Sequence, residues 1–260
     1  MNPPLRRLSE VAPGVWVARS RFYAQNSTVV LDGHGGALVI DPAYYADELA
    51  TIPPDLEALG VRAVAGISTH RHYDHVLWHP DLGDVPRWST PGTVRATLDE
   101  REKVVGPLRP DLPEDLVDLA ARLTAYDGEL LEWSGPTARI HVHDAHAPHH
   151  LALELPELGV LVAGDMLSDV ELPMPDDADT DLSVYRAGLA SLEDVAGRSR
   201  VLIPGHGGVS ERPSERWEAD QRYLDDLEGS GSSDDPRIQA EGMAELHAHN
   251  LARAAAARSS

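Results

Sequence analysis

The segment STHRHYDHVLWH, residues 68–79, places His70, His72, Asp74 and His75 within six residues, directly behind an apolar run. Imidazole nitrogens and carboxylate oxygens are donors that bind zinc, iron or manganese. In an extended segment, residues i and i+2 point the same way, roughly 6.5–7 Å apart. His70 and His72 can therefore converge on one ion. Asp74 and His75 follow in a turn and can face a second ion beside it. A solvated polar loop is the plain alternative, but it gives no reason for such a density of ligand-type side chains.

Three further groups of this kind stand where apolar runs end. HDAHAPHHLALEL carries His143, His146, His149 and His150. GVLVAGD ends on Asp165, and a carboxylate at the end of a buried strand is costly unless paired or bound. A helix N-cap is the competing role for Asp165. VLIPGHGG places His206 among glycines that allow a tight turn and a close approach to a ligand.

The elements that must position these groups follow from pattern. GVWVARS (14–20), STVVLD (27–32) and GALVID (36–41) predict strands, with DGHGG (32–36) as a hairpin turn. Residues 43–60 predict helix in part, interrupted by Pro53-Pro54. VRAVAGIS (61–68) predicts a buried strand whose C-terminal end delivers the first histidine cluster. Residues 80–135 are less regular and could form a lid. A helix there starts at Pro91 with Thr90 as N-cap, and another spans 113–123. ARIHVHDA (138–145), HLALEL (150–155) and GVLVAGD (159–165) predict strands, with a turn at 154–159. A helix at 181–197, a strand entering the loop at 200–208 and a helix at 214–228 follow. EGSGSSDD (228–235) has linker composition. Pro236 is expected to open an Ala-rich helix to about residue 256. The division implied is a domain over 1–228, with a linker and C-terminal helix over 229–260.

Composition narrows the chemistry. The 260-residue chain has no cysteine, which excludes disulfides, thiol nucleophiles and thiolate metal sites. Lys103 is its one lysine, so Schiff-base chemistry has a single candidate. The formal net charge of -21 speaks against nucleic acid, whose binding starts from a basic patch. No apolar run reaches the roughly 18 residues of a membrane-spanning helix. Residues 1–14 show no apolar signal-peptide core, so the cytoplasm is the default location. A small molecule is the expected partner, and a homodimer is compatible with this reading.

HRHYDH, HAPHH, GD and PGHG, in that order, resemble the metallo-β-lactamase fold superfamily, and ALVIDPA (37–43) is similar to its strand ending in aspartate. The resemblance covers residues from about 11 to 210. It implies an α/β fold: an αββα sandwich of two mixed β-sheets flanked by helices, with a dinuclear metal site along one sheet edge. Carried over by motif position, the first ion would take His70, His72 and His146. The second would take Asp74, His75 and His206, with Asp165 bridging the two. Asp74 and Asp165 are the catalytic candidates on the same basis. This donor set suits two divalent ions, zinc first, with iron or manganese compatible. Two ions sharing a water give a bridging hydroxide at neutral pH, able to attack an acyl carbon.

The seven-ligand set is similar to that of glyoxalase II, acyl-homoserine lactonases and related thioesterases and esterases. The absent cysteine and the bridging Asp165 speak against true β-lactamases. Arg212, Arg216 and Arg222 are scattered among acids, which speaks against glutathione specificity. The expected function is hydrolysis of a thioester, lactone or ester. A mononuclear iron persulfide dioxygenase-like enzyme is the second reading, and a non-catalytic metal-binding protein the third. His150 is expected beside the site rather than in it. His79, His141, His143 and His149 match no ligand position. His247 and His249 are expected to face solvent. Tyr73, Trp78 and residues 80–135 are candidates for the pocket wall.

Overall fold

The computed structural model describes residues 6–175 and 182–258. Seven strands form one sheet in chain order: β1 (Ser9–Ala12), β2 (Val15–Arg19), β3 (Asn26–Leu31), β4 (Gly36–Ile40), β5 (Arg62–Ile67), β6 (Arg87–Ser89) and β7 (Thr124–Ala125). β1 to β4 run antiparallel, and β4 to β7 run parallel. The second sheet takes β8 (Arg139–His143), β9 (His150–Leu155), β10 (Val160–Gly164) and β11 (Val201–Pro204) in the order β11-β10-β9-β8. Its β10–β11 pair is parallel, and the others are antiparallel.

The period of two in each strand decides the layering. In β4, Leu38 and Ile40 face the other sheet, and Ala37 and Val39 face helices. In β9, Leu151, Leu153 and Leu155 face inward, with Ala152 on the helical side. A strand apolar on both faces is what a sheet covered on both sides requires. One helical layer comprises α1 (Ala46–Leu49), α2 (Ile52–Ala58), α3 (Pro91–Asp99), α4 (Arg101–Val105) and α5 (Glu114–Leu119). The other comprises α6 (Leu182–Ser191), α7 (Glu193–Arg198), α8 (Pro213–Gly229) and α9 (Met243–Arg258). The result is the expected αββα sandwich of two mixed sheets.

Several local expectations meet their physical cause. At the β3–β4 hairpin, Asp32 Oδ1 accepts from the backbone amides of His34 and Gly36, both at 2.7 Å, and Gly33 and Gly35 take positive φ. Thr90 Oγ1 caps α3 by accepting from Thr93 N.

Others are corrected. Pro53 and Pro54 do not interrupt a helix; they sit in the first turn of α2, where no amide is needed. The helix expected over 113–123 ends at Leu119, and Ala121 takes φ 56. The helix expected over 181–197 divides at Leu192 into α6 and α7, and its residue 181 lies outside the described residues. Pro236 opens only a 3-10 turn (Pro236–Gln239), and α9 begins at Met243. His247 meets Tyr223 Oη through Nδ1 at 3.0 Å, whereas His249 is exposed as expected. β1, β6 and β7 were not foreseen, because two to four residues show too little alternation. Among the described residues, no helix is long and apolar enough to cross a membrane.

Candidate metal centre

The C-terminal ends of β4, β5, β8, β10 and β11 meet at one edge of the sandwich. Asn26 N donates to Gly205 O at 2.7 Å, and Leu151 N donates to Thr69 O at 2.9 Å. These two bonds stitch the sheets together beside the loops that carry the ligand-type residues.

Past β5, Thr69 is held by Asp41 at the end of β4. Thr69 N donates to Asp41 Oδ1 at 2.8 Å, and Thr69 Oγ1 donates to Oδ2 at 2.7 Å. Asp41 Oδ2 also lies 2.9 Å from His75 Nδ1. That contact puts the proton on Nδ1 and turns the Nε2 lone pair of His75 inward. His146 Nδ1 lies 2.7 Å from Met174 O, and His206 Nδ1 lies 3.0 Å from Tyr23 O, with the same consequence.

The inward atoms form two adjoining groups. His70, His72, His146 and Asp165 each offer a donor atom within 4.8 Å of the others, and so do Asp74, His75 and His206. Asp165 lies between them. Its Oδ2 is 3.4 Å from both His70 Nε2 and His146 Nε2 and 3.6 Å from His206 Nε2; its Oδ1 is 3.2 Å from His75 Nε2. Asp74 Oδ2 is 3.2 Å from His206 Nε2. The structure thus brings together all seven residues expected at the site.

Three observations make this a fit for metal ions. The buried atoms His70 Nε2 and Asp165 Oδ1 make no hydrogen bond, which is costly in a protein interior. His72 Nδ1 faces His146 Nε2 at 3.1 Å, and His75 Nε2 faces His206 Nε2 at 3.3 Å; two imidazole lone pairs at that separation repel unless a cation or a proton lies between them. Finally, side chains are excluded where the loops close in. A Cβ on Gly205 would stand 1.9 Å from Asp165 Oδ1 and 2.9 Å from backbone, and one on Gly164 would meet His150.

The electrostatics agree. Burial opposes ionisation of Asp165, but His75, His206 and His70 outweigh it and hold the carboxyl well below its usual range. The same opposition, with His75 as the main partner, keeps Asp74 low. Burial opposes protonation of His206, but Asp165 and Glu171 raise it to about 10. Burial likewise opposes protonation of His75, and Asp165, Asp74 and Asp41 raise it well above its usual value. For His70, burial dominates and, together with His75, lowers it. The centre is thus a tight set of buried carboxylates and competing imidazoles.

The remaining histidines fall outside the two groups. His150 Nε2 accepts from Asp165 N at 3.2 Å, and its ring lies between those of His70 and His143, at 5.0 and 4.6 Å. It orients the backbone of Asp165. His143 is buried and held near 4, by burial first and by the neighbouring His146. His149 takes φ 63, packs its ring over Gly92 and lends its carbonyl to Thr90 and Thr93. His79 caps the turn Pro80–Leu82, and His141 bonds to Glu154.

Two residues went unassigned in the sequence. Asp41 carried a legible signal, since ALVID ends on a carboxylate just as GVLVAGD does. Glu171 carried none; it lies in an irregular loop, joins Asp165 and His206 in a third group of donor atoms, and is pushed to about 7, by burial first. Beside the centre opens a cavity of about 540 Å³, walled by Phe22, Tyr23, Tyr73, Lys103, Glu171 and Met243. Residues 80–135 contribute Lys103 and Pro107 to it. Trp78, by contrast, is buried in the core. A larger cavity of about 950 Å³ adjoins α2 and the Pro80–Leu82 turn, but no histidine lines it.

Comparison with known proteins places this geometry. The chain matches the family model described as Metallo-beta-lactamase superfamily over residues 21–206. It is similar to a metallo-beta-lactamase family protein from Thermus thermophilus, with a TM-score of 0.68 and 22% identity, over 96% of this chain and 95% of that one. It is similar to a metallo-beta-lactamase from Pontibacter korlensis, with a TM-score of 0.62 and 14% identity, over 96% and 99%. It is also similar to the stereoselective inverting sec-alkylsulfatase from Pseudomonas sp., with a TM-score of 0.65 and 18% identity, over 87% of this chain and 42% of that one. No curated protein matches the chain.

Proposed function

Because the chain belongs to the metallo-beta-lactamase superfamily, we propose that it is a metal-dependent hydrolase holding two divalent ions and acting on a thioester, lactone or ester of a small molecule. His70, His72 and His146 would hold the first ion, Asp74, His75 and His206 the second, and Asp165 both. One observation carries this reading: Asp165 stands between two adjoining groups of inward-facing donors. Zinc suits this nitrogen-rich set, and iron or manganese is compatible with it. Such ions supply Lewis acidity at a carbonyl oxygen and lower the pKa of water toward neutrality.

The chain's own residues do the rest. Asp41, Met174 O and Tyr23 O fix the tautomers of His75, His146 and His206, so that each presents Nε2 to the centre. Phe22, Tyr23 and Tyr73 give the adjoining cavity an apolar wall for the organic part of a substrate. No protein nucleophile is required, in keeping with the absence of cysteine. The net charge of -21 supports a small-molecule substrate over nucleic acid. Action in the cytoplasm, without membrane association, belongs to the same proposal.

The test is a hydrolysis screen on the metal-loaded protein with thioesters, lactones, carboxylic esters, β-lactams and an alkyl sulfate. Turnover of an acyl substrate, lost with chelator and restored by metal, is expected. Turnover of the sulfate or β-lactam alone overturns the substrate class. Persulfide oxidation with one iron per chain overturns the hydrolase itself.

A further inference from the structure

The segment after α8 looks like an appendage in sequence, but its buried polar groups converge on the loop that follows Asp165. Arg237 is 5% exposed. Its Nη1 donates to Ser168 O and Glu171 O, both at 3.0 Å, and pairs with Asp220, while Asp235 takes Nη2 at 2.8 Å. Asn250, fully buried in α9, donates from Nδ2 to Pro173 O at 2.7 Å. Between these two points, Leu172 N lies 3.3 Å from Met243 Sδ.

The same loop holds two of the candidate ligands. Ser168 Oγ donates to His206 O at 2.8 Å. Met174 O accepts from His146 Nδ1 at 2.7 Å. Arg237 therefore bonds to the carbonyl of Ser168, whose hydroxyl holds the His206 backbone, and to that of Glu171, three residues before Met174, while Asn250 bonds to Pro173, the residue next to Met174. Glu241, Gly242 and Met243 line the cavity beside the centre, so the tail also forms part of its wall.

We propose that the segment 236–250 is a strap that positions the metal centre: Arg237 and Asn250 fix the 168–174 loop, and through it the ring of His146 and the backbone of His206. This rests on the reading of the seven residues as metal ligands. Arg237 and Asn250 are positioning residues, since neither touches the donor atoms. The physical requirement is strict. A carbonyl that orients an imidazole works only if it is itself held still, and a backbone loop without ladder partners is held by side-chain donors. Arginine suits the task at 237 because its planar fork reaches two carbonyls and two carboxylates at once, which a lysine ammonium cannot.

The experiment loads the full chain with zinc, counts ions per chain, and follows zinc release to a chelating dye at a temperature well below the melting transition. The variants are Arg237→Lys, Asn250→Leu and, as control, Trp217→Phe. The control removes the bond from Trp217 Nε1 to Leu189 O at 2.8 Å, between α8 and α6, and leaves the bonds of Arg237 and Asn250 to the loop in place. Arg237→Lys and Asn250→Leu are each expected to release zinc at least about tenfold faster than wild type, the scale of losing a group that orients a ligand. The control is expected to release at near the wild-type rate even though its melting temperature falls. Release by both strap variants at the wild-type rate, or equal acceleration in the control, overturns the proposal. Should Asn250→Leu fail to fold, Arg237→Lys decides alone. A wild-type chain that takes up no ion overturns the site reading and the strap with it.

Discussion

Arg237 and His70 are each almost fully buried, and each lies in a cluster of charged or titratable side chains. Around Arg237, every partner has opposite sign or is a carbonyl: Asp220, Asp235, Ser168 O and Glu171 O. Burial opposes its charge, but Asp220 and Asp235 outweigh that and hold its pKa above the usual value. Around His70, imidazoles face imidazoles, and Asp165 Oδ1 and His70 Nε2 make no hydrogen bond. The first cluster is complete as protein. The second leaves inward-facing donor atoms without a hydrogen-bond partner. A satisfied buried network specifies a packing arrangement, whereas an unsatisfied one held this rigidly marks a binding site.

The sharpest way to break the contrast is Asp165→Asn. As the carboxylate between the two groups, it should be needed by both ions. The variant is expected to fold normally, to bind fewer than two metals per chain and to hydrolyse at least about a hundredfold more slowly. Metal content is measured beside the initial rate on whichever substrate the wild type accepts. Two metals and an unchanged rate with a lowered melting temperature would return Asp165 to a capping role, whose loss costs about 0.5–2 kcal/mol.

The HAPHH segment sharpens the contrast at closer range. His146→Ala should lose most of the metal of the first group, while His149→Ala should keep it, because its ring lies over Gly92 and only its backbone is used. Elemental analysis of both variants checks this, and equal losses would remove the distinction.

The smallest effect is expected at Glu154, another complete cluster, four residues along β9 from His150. Its carboxylate accepts from Arg198 at 2.7 and 2.8 Å and meets His141 at 2.9 Å. Arg198 first, against burial, and then His141 lower it to about 2. A depressed carboxyl stabilises fully above its unfolded value near 4.5 and loses that stabilisation as pH falls through about 2. Glu154→Gln should therefore cost about 1 kcal/mol at neutral pH, discounted because the Arg198 side chain is half exposed. The gap in melting temperature between wild type and variant should narrow as pH drops from 4.5 toward 2, and at neutral pH the variant should carry as much metal as the wild type. A gap that persists at pH 2 would mean that packing, not charge, holds Glu154.

Much of this was legible in the residues. Runs such as GALVID and GVLVAGD, apolar on both faces, announced strands covered from both sides, and the ligand-type residues stood at their ends. The groups that hold the ligands in place were harder to see. Met174 and Tyr23 act through backbone carbonyls, which any residue type could offer. Glu171 sits in an irregular loop and Arg237 in a single 3-10 turn, neither long enough for periodicity, so their burial depends on contacts far along the chain. The short strands β6 and β7 exist because a parallel neighbour is present, and nothing local demands them.

Seven side chains at four strand ends are proposed to form one centre for two ions. Elemental analysis of the wild-type protein, purified after growth with zinc, iron and manganese, tests it most directly. About two transition-metal ions per chain are expected, removable by chelator with loss of activity. A chain that carries no metal after such growth would contradict the account.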